Sequence, residues 1–565
     1  MLYLFSKRQS HAVIRRFVAA LCLSVWGAAS VHALESVEGS FTIDSFSYED
    51  GSTEALTQHY RTLGKPRRNA SGKVTNAVLI MHGTTGSGAG FLREQFAGVL
   101  FEPGGILDAS RYFIVLTDGI GHGQSSKPSN SSAGDFPRYS YNDMVHAQYR
   151  LLTDHLKINH LRLVTGTSMG GMLSWVWGYE YPGFMDALMP LASLPVEIAG
   201  RNRMLRKMII DAVKNDPDYQ DGFYTTQPAG LREALYPLIF MVSSPLQYQE
   251  LAPTRVAAEA MLDASLNRYS AAMDANDLIY AFDASRDYNP APRLGEITAP
   301  LLAINSADDQ VNPPELMLLE SHIRQVPQGQ AVTLDISPLT RGHGTHSLPS
   351  IWGPYLARFL QTTNAQDAAP ARDYSALNDP DAAIWSTRAP DIFVADFDTT
   401  EGRFSIEVER RLAPLGADRF YQLINAGFYD TVHINRVVPG FIAQFGVHGE
   451  PAVNALWKDR MIIDDPVLGS NLRGTIAFAM TGPNTRSTQI FINTVDNTRL
   501  DAGGFASFGR VINGMDVVDR LYGLYGESAG GGLRGGKQRP LETGGSEYLH
   551  SNYPLLDFIS RATIR

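Results

Sequence analysis

The chain has 565 residues, too many for one ordinary hydrophobic core, so two or more domains are expected. Hydrophobic residues make up 44% and charged residues 19%, which excludes a disordered chain and a membrane-embedded one. The net charge is −10, and no basic stripe interleaved with aromatics appears, so nucleic acid is excluded as the expected partner.

In chain order, the first 33 residues read as a secretory signal peptide. Lys7, Arg8, Arg15 and Arg16 make a positive start, residues 17–28 an apolar run, and Val31, His32 and Ala33 a small-x-small cleavage signature. The run is well short of the roughly 20 residues a spanning helix needs, so no stable membrane insertion is expected. Export, to a bacterial periplasm or the exterior, is the expected localisation. Cleavage would leave 44 basic against 58 acidic residues, a balance of −14, and would remove Cys22, the single cysteine. The remaining chain could form neither a disulfide nor a thiolate metal site.

Residues 76–82 (NAVLIMH) and 112–117 (YFIVLT) are apolar runs, and residues 141–156 have a helical apolar face. Further strands are expected at 161–165, 186–191, 300–304 and 331–336. Apolar runs separated by helices predict a mostly parallel sheet with helices on both faces. Residues 200–290 break the rhythm with helix formers and Met, predicting a helical cap. The first domain is therefore placed at 34–361. Residues 362–387, rich in Ala, Asp, Asn and Pro, read as a linker. Beyond them, at 388–530, short alternating strands such as 403–408 and 474–480 predict an antiparallel barrel or sandwich. Residues 531–565 read as a tail without an assigned role.

Within the first domain, residues 161–171 (LRLVTGTSMGG) hold G-x-S-x-G between a predicted strand and helix. That turn lifts the Ser168 hydroxyl off the end of the sheet, and small residues avoid a clash inside it. The Met169 N–H opens the helix, ready for an oxyanion. A nucleophilic serine needs a base, and the base an orienting acid. Residues 300–314 (PLLAINSADDQVNPP) supply Asp309, with Asp308 as the alternative. Residues 341–347 (RGHGTHS) supply His343, with His346 as the rival. The loop after the first strand, residues 82–86 (HGTTG), is placed to give a second oxyanion N–H from Thr84 or Thr85.

With these residues in place, residues 37–361 resemble the α/β-hydrolase superfamily, and within it the homoserine O-acetyltransferase-like proteins. Residues 141–172 (YNDMVHAQYRLLTDHLKINHLRLVTGTSMGGM) and the NDPDYQDGFY of the cap carry the latter likeness. The resemblance implies acyl transfer through an acyl-Ser168 intermediate. Residues 118–127 (DGIGHGQSSK) depart toward a general hydrolase loop, so hydrolysis of an ester, lactone or amide is the leading expectation and acyl transfer the alternative.

In the second domain, residues 435–446 (NRVVPGFIAQFG), 474–493 (GTIAFAMTGPNTRSTQIFIN) and 505–516 (FASFGRVINGMD) together resemble the cyclophilin family over about 391–525. The resemblance implies a closed eight-stranded barrel with helical caps at 412–426 and 514–521. It implies that Arg436 is the catalytic arginine, with Gln444 and Gln489 as its polar partners. Phe441, Ile442, Phe491, Leu500 and Phe505 would line a proline pocket, with Ala479 and Met480 along the groove. The alternative is that these aromatics are barrel core. Asn435, Ile442, Met480 and Arg499 depart from the residues common at those positions; Arg499 stands where cyclosporin-sensitive members have tryptophan.

The reading is thus an exported bifunctional enzyme without metal or organic cofactor. Its partners would be proline-containing polypeptides and a small-molecule acyl substrate; the oligomeric state is left open. A binding protein, in which the isomerase-like module grips proline peptides as a chaperone beside an inert hydrolase scaffold, is the reading of a different class.

Overall fold

Residues 77–81 (AVLIM) have no polar side chain, so the segment is at home only where both faces are covered. In the computed structural model, which describes residues 36–368, 372–529 and 538–565, it is β3 of an eight-stranded sheet. The strands are β1 (Val37–Ser47), β2 (Thr53–Leu63), β3 (Ala77–Met81), β4 (Phe113–Thr117), β5 (Leu163–Thr167), β6 (Leu188–Leu191), β7 (Leu301–Ser306) and β8 (Gly329–Leu334). They lie in the order β1-β2-β4-β3-β5-β6-β7-β8. From β4 through β8 all pairings are parallel, whereas β1–β2 and β2–β4 are antiparallel. The wholly buried strands β3 to β7 are the apolar runs of the sequence. The β1–β2 hairpin was not anticipated; the polar residues of β1 face solvent at the sheet edge, whereas β2 buries Gln58, His59 and Arg61.

Helices α1 (Glu94–Leu100), α2 (Tyr141–Arg150) and α3 (Met169–Glu180) flank the sheet. Ser140 caps α2 in a reciprocal box with Asp143, which fixes where that helix begins. Helix α3 is buried on every side, Trp175 and Trp177 included, because it sits behind the middle of the sheet. Five helices, α4 (Gly200–Lys214), α5 (Gly230–Met241), α6 (Pro245–Leu251), α7 (Arg255–Ala272) and α8 (Ala275–Asp283), fill the expected cap region. They have an apolar cluster of their own around Ile209, Val213, Leu231 and Phe282. Helices α9 (Leu318–His322) and α10 (Pro349–Ala368) complete this half.

The second sheet is entirely antiparallel: β9 (Ile392–Thr399), β10 (Gly402–Glu409), β11 (Arg436–Val438), β12 (Ile442–Phe445), β13 (Thr475–Phe478), β14 (Ile490–Asn493), β15 (Ser507–Asn513) and β16 (Ile559–Ile564). Period-two alternation puts Phe393, Ala395 and Phe397 of β9 inside. Phe404, Phe420, Phe445, Phe478 and Phe508 meet them in the core. The sheet order is β11-β12-β14-β13-β15-β10-β9-β16. Its two ends approach through Thr431 N–H to Ile559 O (2.7 Å) and Ile434 N–H to Asp557 O (2.7 Å). Helices α11 (Pro414–Ala426), α12 (Pro451–Trp457), α13 (Met515–Arg520) and α14 (Gln538–Asn552) accompany the sheet.

The 362–387 segment is not a plain tether. Helix α10 continues to Ala368, and Ala376, Leu377, Ile384 and Trp385 pack on the barrel core, because apolar residues are interspersed among its polar ones. Nor is 531–565 a tail: β16 pairs with β9 along its length, so the chain's last residues supply a strand of the sheet. The signal-peptide reading lies outside the described residues. Among the described residues no helix is long and apolar enough to cross a membrane.

Candidate functional sites

The first site begins at the β5–α3 turn. Ser168 has φ +55° and ψ −110°, a conformation that costs an L-residue about 1–3 kcal/mol. The turn is so tight that a Cβ on Gly166 would lie 2.4 Å from the Gly170 carbonyl oxygen, and one on Gly170 only 2.0 Å from that of Met81. Only glycine fits at either position, which is the physical content of the G-x-S-x-G spacing.

His343 Nε2 lies 2.8 Å from Ser168 Oγ, and His343 Nδ1 lies 2.8 Å from Asp309 Oδ2. The three residues come from the ends of β5 and β7 and from the loop after β8, so the parallel sheet gathers them at one edge. Asp309 is fully buried. Burial pushes its carboxyl up, but the adjacent His343, the Asn312 amide and the Val311 N–H outweigh this and hold it below the ordinary carboxylate value. An ionised Asp309 sets the imidazole with Nδ1–H toward the acid, leaving Nε2 as acceptor for the serine hydroxyl.

Of the two alternatives, neither reaches Ser168. Asp308 accepts from Ser244, Ser306 and Thr340 hydroxyls and from the Gly342 N–H, anchoring the loop that carries His343. His346 lies beside His343, ring centroids 5.2 Å apart and nearly perpendicular. Burial and the neighbouring His343 push its pKa down to about 3, and its Nδ1 has no hydrogen-bond partner among the described residues.

Gly83 packs against Ser168: a Cβ there would lie 3.4 Å from Ser168 Cβ. The next residue, Thr84, is half-buried, while Thr85 is exposed. The Thr84 carbonyl faces His122 Nε2 at 2.9 Å, tying this loop to the one after β4. The Met169 N–H, in the first turn of α3, has no intrahelical acceptor.

The second site is laid out by strand register. Arg436 on β11 stands opposite Gln444 on β12, and Gln444 opposite Phe491 on β14. Arg436 Nη1 donates to Gln444 Oε1 at 2.9 Å, and Gln444 Nε2 donates to Gln489 Oε1 at 2.9 Å. Ile442, Ala477 and Phe491 form a cluster separate from the barrel core, with Phe441, Ala479, Leu500 and Phe505 half-exposed around it. The expected pocket residues therefore gather in one cluster apart from the barrel core. Met480 reaches the Gly503–Gly504 turn beside Phe505. Arg436 and Arg499 both stack over the Phe441 ring, at 5.7 and 4.7 Å. Asn435 is buried, its amide without a partner among the described residues.

Two residues that sequence reasoning did not single out also reach this site. Glu527 Oε1 lies 2.5 Å from Arg436 Nη2, and Gln538 Nε2 donates to Gln489 Oε1 at 2.9 Å. No periodicity marks them; the only signal is a carboxylate just after the last cap helix. Among the described residues no cluster of three or more potential metal ligands occurs.

Comparison with known proteins divides the chain in the same way. The alpha/beta hydrolase fold family matches residues 76–332, and the cyclophilin type peptidyl-prolyl cis-trans isomerase family matches residues 394–541. A probable acyltransferase from Methanothermobacter thermautotrophicus is 29% identical over 305 residues, 54% of this chain and 92% of its own. An ethyl acetate hydrolase from Pseudomonas veronii is 32% identical over 215 residues, 36% of this chain and 60% of its own. Peptidyl-prolyl cis-trans isomerase A from Dickeya dadantii is 35% identical over 141 residues, 23% of this chain and 72% of its own. The solved homoserine O-acetyltransferase from Bacillus anthracis shares the fold, with TM-score 0.51 and 20% identity over 57% of this chain and 97% of its own.

By fold and family, the molecule is a two-domain enzyme in which an α/β-hydrolase-fold domain precedes an isomerase-type barrel. Through that barrel the chain belongs to the cyclophilin-type peptidyl-prolyl cis-trans isomerases.

Proposed function

We propose that this is an exported bifunctional enzyme: a serine hydrolase that cleaves an ester, lactone or amide through acyl-Ser168, joined to an isomerase of X–Pro bonds. The observation that carries the first half is the unbroken Ser168–His343–Asp309 chain of 2.8 Å contacts. His343 Nε2 takes the Ser168 proton as Oγ attacks the substrate carbonyl. The oxyanion forms toward the N–H groups of Met169 and Thr84. On collapse His343 returns the proton to the leaving alcohol or amine. Water then attacks the acyl-Ser168 by the same route, and Asp309 stabilises each transient imidazolium.

In the barrel no covalent bond is made or broken. Rotation about X–Pro is slow because the amide is conjugated, with a barrier of about 18–20 kcal/mol. Arg436 donates toward the proline nitrogen in the twisted state, where its lone pair is freed from conjugation. Its planar fork of donors, braced by Gln444, suits this role. The Phe441–Phe491–Phe505 wall takes the proline ring. Export is supported by the signal-like composition of residues 1–33.

Fluorophosphonate labelling of the purified chain tests the hydrolase. Labelling that vanishes in Ser168→Ala supports it, and an unlabelled wild type with an active barrel sinks it. Acyl transfer is the second reading, favoured by the probable acyltransferase relative. Supplying an ester with an excess of acceptor alcohol separates the two: free acid means hydrolysis, and a new ester means transfer.

A further inference from the structure

The segment between α13 and β16 has no part in the reading so far, yet it touches the isomerase site twice. Glu527 pairs with Arg436, and Gln538 binds Gln489. Both residues are held by a small core of their own: Ala529, Leu541, Leu549 and Leu556 bury together against Val447, which follows β12. The Ser546 N–H donates to the Gly449 carbonyl at 2.9 Å, which ties the segment to the loop after β12, and the Tyr522 N–H donates to Asp557 at 2.6 Å, which joins the segment's own two ends.

The arginine has five donors in one plane. Gln444 takes one from Nη1 and Glu527 one from Nη2, so two acceptors on different nitrogens fix the plane of the fork. Its Nε–H keeps no protein partner among the described residues. Gln489 Oε1 accepts from both Gln444 and Gln538, so its amide is turned with the NH2 group free for a peptide carbonyl. From this geometry we infer that Glu527 and Gln538 are positioning residues of the isomerase site: the C-terminal segment completes the Arg436–Gln444–Gln489 relay from outside the barrel.

The inference rests on the isomerase reading, and its test keeps the two apart. The full-length chain and its variants are assayed for cis-to-trans conversion of an X–Pro peptide, resolving kcat from KM. Circular dichroism and a thermal melt establish that each variant is folded. Arg436→Ala is the control: if it keeps the wild-type rate, or the wild type has none, the isomerase reading itself fails. With that control passed, Glu527→Ala lowers kcat about tenfold with KM within about twofold, as expected for a lost charge-assisted hydrogen bond to a group acting in the twisted state. Glu527→Gln, which still presents an acceptor oxygen, recovers part of the loss. Gln538→Ala lowers kcat about threefold. An unchanged or raised kcat in Glu527→Ala overturns the inference, a rise meaning that the segment restrains the site. A loss carried by KM alone also overturns it, because Glu527 would then be contacting substrate.

Discussion

The two sites are built on opposite principles. The hydrolase site is a single-file chain of buried polar atoms, Ser168 to His343 to Asp309, whose members lie 175 and 34 residues apart in sequence. It stands at the edge of a parallel sheet, with Ser168, the proposed nucleophile, in a strained turn and Asp309 sealed from water. The proposed isomerase site is laid out on an antiparallel sheet, where Arg436 and Gln444 are cross-strand neighbours beside an apolar cluster. Making and breaking bonds requires a proton relay in a low dielectric, and a strained, buried scaffold supplies it. Lowering a rotational barrier requires only donors held in place beside an apolar wall, and strand register supplies that.

This contrast breaks if the sites are not independent. Ser168→Ala should abolish ester turnover, a loss of about 10⁶ in kcat, and leave isomerisation untouched. Arg436→Ala should do the reverse, at about 10² to 10³ because the one cationic donor group of the proposed site is removed. Any crossover in paired assays of the two variants would refute independence. A smaller effect separates the adjacent carboxylates. Asp309→Asn should lower hydrolase kcat about 10⁴-fold with little change in melting, through the wrong imidazole tautomer. Asp308→Asn should act first on stability, by about 1–3 kcal/mol, because it leaves the loop donors Thr340 and Gly342 poorly matched.

The halves also share one buried ion pair. Arg358 of α10 lies 2.8 Å from Asp557, which is 1% exposed and also accepts from Thr400 and Tyr522. Burial lowers the Arg358 pKa, and the Asp557 carboxylate offsets it only in part. Asp557→Ala should cost about 3 kcal/mol, read as the chemical-denaturation midpoint, since one charge is left buried and unpaired. A midpoint shift seen in only one half would show that the pair does not join their unfolding.

The smallest expected effect is a pH dependence of stability that two buried histidines of the first half contribute. Folding depresses the pKa of His346 from 6.5 to about 3, through burial and then His343. Between those values the unfolded chain binds the proton and the folded chain does not, so stability is full above pH 6.5 and falls as pH drops toward 3. His82, also lowered to about 3 by burial and by His122, adds to the same slope. His346→Gln should flatten the slope of the denaturation midpoint against pH by one proton; an unchanged slope would remove His346 from the account.

The sequence by itself determined the parts whose information is local. Apolar runs marked β3, β4, β5 and β7, because a strand covered on both faces is built mostly from apolar residues. Ser168 was legible because its turn needs glycine at fixed offsets, and Arg436 because three blocks around it carry a family likeness. What only the tertiary structure decided is whatever depends on closing distance across the chain. Asp309 against Asp308, and His343 against His346, are pairs of neighbours alike in sequence; the loop geometry brings one of each to the other and turns the second away. β1 and β16 were missed because an edge strand half-open to solvent lacks the continuous apolar run, and β2 because its buried positions include Gln58, His59, Arg61 and Thr62. Glu527 and Gln538 were missed because a hydrogen bond between residues 91 or 49 positions apart leaves no periodic trace; it exists only once the segment has folded back on the barrel.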